Sequence, residues 1–300
     1  MSTPTSLKLP EGVRRTTVET SRGAFAALEA LPVTGMCELG PALLVPGYTG
    51  SKEDFLPVLG QLAAGGRRVT AVDMRGQHET PGSDDADAYR LIELGADIAA
   101  LAGATGAVHL LGHSFGGLVT REAVLAGLPG VGSLTLMSSG PAGLTGPRAA
   151  ELRTMLALLG DDIPDQLRAR VQRIWYGHLE PQAISDGVPA PIVSFLRERM
   201  LRSSPSGLAA MGRLLLSAPD RTAPLARLGG LVSFLVVYGE DDNAWSPAIQ
   251  EDMATRLHAR RACIPGAAHS PAVEAPASTA HELTAFWNAT EGVASPVAAS

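Results

Sequence analysis

Three short segments carry residue types that can do nucleophilic chemistry. Gly112-His113-Ser114-Phe115-Gly116-Gly117 fits G-x-S-x-G, Gly239-Glu240-Asp241-Asp242 ends in adjacent carboxylates, and His269 stands in Ile264-Pro265-Gly266-Ala267-Ala268-His269. A serine hydroxyl is a poor nucleophile at neutral pH. It needs a base within hydrogen-bond reach and a carboxylate to orient that base. Ser114, Asp242 and His269 supply these groups in the chain order serine, acid, histidine. Asp241 is the alternative acid. The turn one strand earlier, Ser138-Ser139-Gly140, has no carboxylate to compete.

Such groups work only if the chain holds them together, and the surrounding pattern predicts how. Short apolar runs at 42–45, 68–72, 107–111, 133–137, 232–238 and 261–264 alternate with helical periodicity over 54–64, 89–101, 115–125, 247–257 and 279–288. That alternation implies a doubly wound, mostly parallel α/β sheet with helices on both faces. An N-terminal hairpin over 13–18 and 23–28 precedes it, although the alanine-rich 24–30 fits a helix as well. Ser114 falls between a predicted strand and a predicted helix, and Asp242 and His269 follow later strands. All three therefore lie past the carboxyl ends of parallel strands, where open α/β sheets place their sites. The glycines flanking Ser114 suit a tight strand–helix turn that lifts the hydroxyl above the sheet edge.

The alternation breaks between 140 and 230. Helical patterns over 151–159, 166–176, 193–201 and 206–216, punctuated by prolines, read as a helical cap inserted into a core of 13–139 and 231–290. Residues 1–12 and 291–300 read as flexible tails.

Taken together, these segments resemble the α/β-hydrolase superfamily, specifically its capped serine hydrolases. Leu44-Val45-Pro46-Gly47-Tyr48-Thr49-Gly50 resembles the oxyanion loop. Val72-Asp73-Met74-Arg75-Gly76-Gln77 resembles the D-x-R-G turn. Residues 112–117 resemble the nucleophile elbow, 239–242 the acid turn and 265–276 the histidine loop. The resemblance spans about Pro41 to Trp287. It implies that Ser114 attacks a carbonyl, that His269 shuttles the proton and that Asp242 orients the imidazole. It also implies that the backbone N–H groups of Tyr48 and Phe115 form the oxyanion hole. The usual histidine of the oxyanion loop is Pro46 here; the backbone donor of the next residue is kept, but whatever that histidine contributes to holding the loop is not.

The remaining candidates have plainer readings. His113 packs beside Ser114 or touches a pocket, Trp245 lines a pocket or packs, and His109 reads as a satisfied core residue. His78, His178, His258 and His281 read as surface residues. Asp73 and Arg75 read as local supports of their turn. The two cysteines, Cys37 and Cys263, have neither metal-ligand nor redox spacing and read as buried thiols.

Composition narrows the function classes. With 45% hydrophobic and 18% charged residues, the chain suits a globular core. Net charge is −6 and only Lys8 and Lys52 are lysines, which argues against nucleic acid as a partner. No apolar run of 18 residues offers a membrane span, and no signal-peptide pattern opens the chain, so a cytoplasmic location is the default. Neither a metal nor an organic cofactor is implied, and the partner is a small-molecule substrate. The expected activity is hydrolysis of a small to medium apolar carboxylic ester. Thioester, lactone or carbon–carbon bond cleavage and acyl transfer are the same-triad alternatives. A dinucleotide-binding enzyme is disfavoured because no G-x-G-x-x-G follows an early strand. A haloalkane dehalogenase would want a carboxylate at 114, and a ligand-binding module would not need an intact triad.

Overall fold

The apolar runs form one sheet. In the computed structural model, which describes residues 2–32, 39–160 and 164–293, eight strands pair in the order β1-β2-β4-β3-β5-β6-β7-β8. These are Val13–Thr20 (β1), Gly23–Ala30 (β2), Leu39–Val45 (β3), Arg67–Val72 (β4), His109–His113 (β5), Ser133–Met137 (β6), Ser233–Gly239 (β7) and Arg260–Ile264 (β8). β1 and β2 form an antiparallel hairpin and β2 runs antiparallel to β4, whereas β4, β3, β5, β6, β7 and β8 are parallel. The alanine-rich segment is therefore a strand. Pairing with both β1 and β4 satisfies its backbone on two sides, which outweighs the helix preference of alanine.

Helices cover both faces. Leu56–Ala64 (α1), preceded by a 3-10 turn at Lys52–Phe55, packs with the C-terminal helix on one face; Leu91–Thr105 (α2) and Phe115–Leu125 (α3) pack together on the other. Between β6 and β7 the chain makes Gly146–Leu159 (α4), Pro164–Ile174 (α5), Glu180–Ser185 (α6), Ala190–Arg202 (α7), Pro205–Ser217 (α8) and Thr222–Ala226 (α9). A π-helical turn, Trp175–Leu179, links α5 to α6. This insertion has an apolar centre of its own around Leu167, Trp175, Leu196 and Leu208, while Ala149, Leu152, Met211 and Leu215 join the main core. Pro247–Leu257 (α10), Pro271–Glu274 (α11) and Pro276–Thr290 (α12) complete the fold.

Four expectations need correction. The N-terminal segment is held, not loose: the Ser2 carbonyl accepts from Arg199 Nη2 at 2.7 Å, and Leu7 and Leu9 pack against the insertion and the sheet core. Its anchors come from distant residues, so local composition hides them. At the other end, the Glu291 carboxylate accepts from Gly40 N, Arg67 Nη1 and His109 Nε2 at 2.6–2.9 Å; residues 294–300 lie outside the described ones. Cys263 is exposed, because alternation along β8 turns Ala262 and Ile264 inward and Cys263 outward; Cys37 lies outside the described residues. His78 is buried with a positive φ of 39°, its Nδ1 3.5 Å from Glu53 Oε2.

Candidate active site

Ser114 sits between β5 and α3 with φ 53° and ψ −119°, a conformation that costs roughly 1–3 kcal/mol for a non-glycine residue. The glycines around it make the turn feasible. A Cβ on Gly112 would lie 2.5 Å from Gly116 C and Gly117 N, and one on Gly116 would lie 2.5 Å from the carbonyl oxygens of Val45 and Pro46. The elbow therefore closes against itself and against the end of β3. As the N-cap of α3, Ser114 stands at the positive end of that helix.

His269 reaches Ser114 from beyond β8. Its Nε2 lies 3.0 Å from Ser114 Oγ and its Nδ1 3.0 Å from Asp242 Oδ1. The second distance fixes the tautomer: with Asp242 ionised, Nδ1–H donates to the carboxylate and Nε2 accepts from the serine hydroxyl. Asp242 is buried and faces the imidazole, whereas Asp241 is exposed. Burial pushes the Asp242 carboxyl upward. The His269 hydrogen bond and charge, with donation from Ala244 N and Gln250 Nε2, outweigh it and leave the carboxyl below its ordinary range. The His269 loop is held on both sides, since Glu274 Oε2 accepts from Ala268 N and Ser270 N.

His113 and Trp245, the candidate pocket residues, are packed behind the site. His113 is 3% exposed and its Nε2 donates to the His269 carbonyl at 2.7 Å, so it braces the backbone of His269. Burial and the neighbouring His269 charge push the His113 imidazole down to about 3, so it stays neutral. Trp245 is 2% exposed; it donates Nε1–H to the Ala142 carbonyl and lies over Gly140, where a Cβ would meet its Cγ at 2.6 Å. Each ring N–H is satisfied by a backbone carbonyl, so both side chains can be buried without an unpaired donor.

The loop after β3, expected to carry an oxyanion hole, has the support that Pro46 does not supply. Gln77 Nε2 donates to the Gly47 carbonyl at 2.8 Å, and the Tyr48 hydroxyl donates to the Leu208 carbonyl of α8 at 2.8 Å. Below the loop, Lys52 is enclosed among carboxylates. Its Nζ lies 2.8 Å from Asp73, 2.7 Å from Glu79 and 3.2 Å from Glu53, and its N–H donates to Asp73 Oδ1. Glu53, Asp73 and His78 converge closely enough to ligate a metal ion, but the Lys52 ammonium already stands among them as the counter-charge. Asp73 thus anchors the loop through Lys52. Arg75 is held by Asp97 of α2 at 2.7 Å rather than by its own turn. Gln77, Gln250, Ser139 and Lys52 were not singled out as site residues in sequence. Gln77 had the one usable signal, its place in the D-x-R-G-Q turn.

Comparison with known proteins follows this geometry. The profile of the alpha/beta hydrolase family matches residues 42–282. A protein of Variovorax paradoxus named as a carbamate hydrolase, RutD, is 37% identical over 107 residues, 33% of this chain and 40% of that protein's length. An esterase from Thermogutta terrifontis superposes with a TM-score of 0.67 at 22% identity, covering 92% of this chain and 99% of its own. An N-acyl homoserine lactonase, AidH, superposes with a TM-score of 0.67 at 19% identity, covering 95% and 100%. No described helix is long and apolar enough to cross a membrane. With the family profile spanning most of its length, the chain belongs to the alpha/beta hydrolase family and is, on that membership, a hydrolase enzyme.

Proposed function

We propose that this protein hydrolyses a small to medium apolar carboxylic ester through an acyl-Ser114 intermediate. The observation that carries the reading is the unbroken line Ser114 Oγ–His269 Nε2 and His269 Nδ1–Asp242 Oδ1, with both links at 3.0 Å. Ser114 Oγ attacks the ester carbon while its proton passes to His269 Nε2. The carbonyl electrons move onto oxygen, which the Tyr48 and Phe115 N–H groups receive. Collapse of this intermediate expels the alcohol, which takes the proton from His269 and leaves the acyl-serine. Water then repeats the sequence, giving its proton to His269, and the acid leaves as Ser114 recovers its hydrogen. Asp242 stabilises each imidazolium.

An apolar acyl group is supported by Tyr48, Met155 and Leu156. These partly buried side chains pack against both the sheet core and the insertion, alongside the oxyanion loop. The helical insertion is read as a cap whose lining sets chain-length preference. A carbamate is the second reading, favoured by the 37% identity to the Variovorax protein over 107 residues.

The test is turnover of p-nitrophenyl esters of increasing acyl length beside a p-nitrophenyl carbamate, for wild type, Ser114→Ala and Asp242→Asn. The expected result is ester turnover abolished by Ser114→Ala and reduced about 10⁴-fold by Asp242→Asn. Equal activity in wild type and Ser114→Ala would sink the mechanism, and preference for the carbamate would replace the ester reading.

A further inference from the structure

Both peptides that supply the oxyanion hole have their opposite face held in the same way. A trans peptide is planar, so its C=O and the next residue's N–H point in opposite directions. In the Gly47–Tyr48 peptide, the carbonyl accepts from Gln77 Nε2 at 2.8 Å and from Gly50 N at 3.1 Å. In the Ser114–Phe115 peptide, the carbonyl accepts from Ser139 Oγ at 2.8 Å and from Gly117 N at 2.9 Å. Each carbonyl thus takes one side-chain donor and one backbone donor. Among the described residues, neither the Tyr48 N–H nor the Phe115 N–H meets an acceptor on the protein.

We propose that Gln77 and Ser139 are paired positioning residues that aim and polarise the two oxyanion-hole N–H groups by gripping their carbonyls. The inference rests on the Ser114 mechanism and extends it. Aim follows from geometry, because a peptide gripped at its carbonyl cannot rotate its N–H away. Polarisation follows from hydrogen-bond cooperativity: a C=O that accepts hydrogen bonds makes the N–H of the same peptide a stronger donor. The supports are built for the task. Gln77 is buried and its orientation is set, since its Oε1 accepts from Met74 N at 3.0 Å while its Nε2 faces Gly47. Ser139 is fully buried, and a Cβ on Gly117 would lie 2.6 Å from Ser139 Cβ, so the last glycine of Gly112–Gly117 leaves room for that hydroxyl.

The test uses Ser139→Ala, Gln77→Met and Gln77→Glu. Glutamate keeps an acceptor for Met74 N–H but turns a second acceptor toward the Gly47 carbonyl. Enzyme concentrations are set by active-site titration with a fluorophosphonate, so any misfolded fraction is not scored. The readouts are kcat and KM on the preferred p-nitrophenyl ester and Ki for a trifluoromethyl ketone of the same acyl length. Ser114 Oγ adds to that ketone, the hydroxyl proton passes to His269, and the resulting oxyanion probes the hole directly. Each substitution is expected to lower kcat by about 5–10-fold, as one neutral hydrogen bond does, and to weaken the ketone by the same factor with KM unchanged. Gln77→Glu falls at least as far as Gln77→Met. The proposal is overturned if Ki stays within twofold of wild type, or if KM alone moves. Failure of the underlying mechanism is separable, because then Ser114→Ala itself retains turnover.

Discussion

Replacing Gly112 by alanine is the sharpest test of how the elbow is built. The added Cβ would stand 2.5 Å from Gly116 C and Gly117 N, where ordinary contact begins at 3.4 Å. Both obstacles are backbone, so no side chain can swing aside. The strand–helix turn must open by about 1 Å, and a packed interior resists a displacement of that size. Ser114 lies inside the turn, with its Oγ 3.0 Å from His269 Nε2, so a shift of this size breaks the hydrogen bond on which the proposed mechanism depends. Misplacing a reacting group by about 1 Å costs about 10²-fold in rate, and overpacking costs about 1–3 kcal/mol in stability. The assay is kcat per titrated site, with urea unfolding measured in parallel. Gly103→Ala is the matched control: nothing lies within 4 Å of a Cβ there, in the exposed last turn of α2, and the change is expected to stabilise by at most about 0.5–1 kcal/mol. Full turnover in Gly112→Ala would refute the account of the elbow as a backbone-limited turn.

Two further outcomes follow from buried charge. Arg199 donates to Asp54 Oδ1 at 2.7 Å, and burial holds the Asp54 carboxyl up at about 6 despite the arginine. Arg199→Met is therefore expected to cost about 3–5 kcal/mol at pH 7.5. Losing the arginine raises the Asp54 carboxyl further, so the variant gains a proton, and recovers stability, at higher pH than wild type. The cost, read by urea unfolding against wild type, therefore shrinks as pH falls toward 6 and levels off below it, and an equal cost at pH 7.5 and pH 5.5 would refute it. Burial lowers the imidazoles of His109 to about 4 and His113 to about 3, so each is neutral in the native state but takes a proton below about 6.5 when unfolded. Each should remove about 1.4 kcal/mol of stability per pH unit as pH falls from 6.5 toward its native value. His113→Gln, which keeps a donor for the His269 carbonyl, is expected to flatten that acid slope, and an unchanged slope between pH 6.5 and 5 would refute the assignment.

The elements were legible where local pattern and burial agree. Short apolar runs ended by glycine, proline or a single polar residue became β3 to β8; Pro247–Leu257 matched its spacing because it buries one face, whereas Phe115–Leu125 is buried almost throughout and was marked by the glycine-rich turn before it. Glu180–Ser185 and Pro271–Glu274 escaped because one or two turns carry too little periodicity to stand out from a loop. The triad candidates were legible because a tight elbow restricts the residue types it accepts. Their supports were not, because the partners lie far apart in the chain: Gln77 grips Gly47, Ser139 grips Ser114, and Arg199 joins Asp54 to Ser2. Nothing near Lys52 announces that three carboxylates will surround it. The same holds for Ser2, whose burial depends on a helix almost two hundred residues later.

The hydrogen bond from Tyr48 to the Leu208 carbonyl has a consequence for anyone who would retarget this enzyme by exchanging its helices. A Cβ on Gly212 would lie 2.9 Å from the Tyr48 hydroxyl, so the bulk at one position and the bareness at the other fit as a pair. A graft of 146–226 from a relative would import a foreign partner for Tyr48 and strip the loop after β3 of a strut. Positions 48 and 212 therefore form one inheritable unit across the seam, and a successful chimera has to carry both.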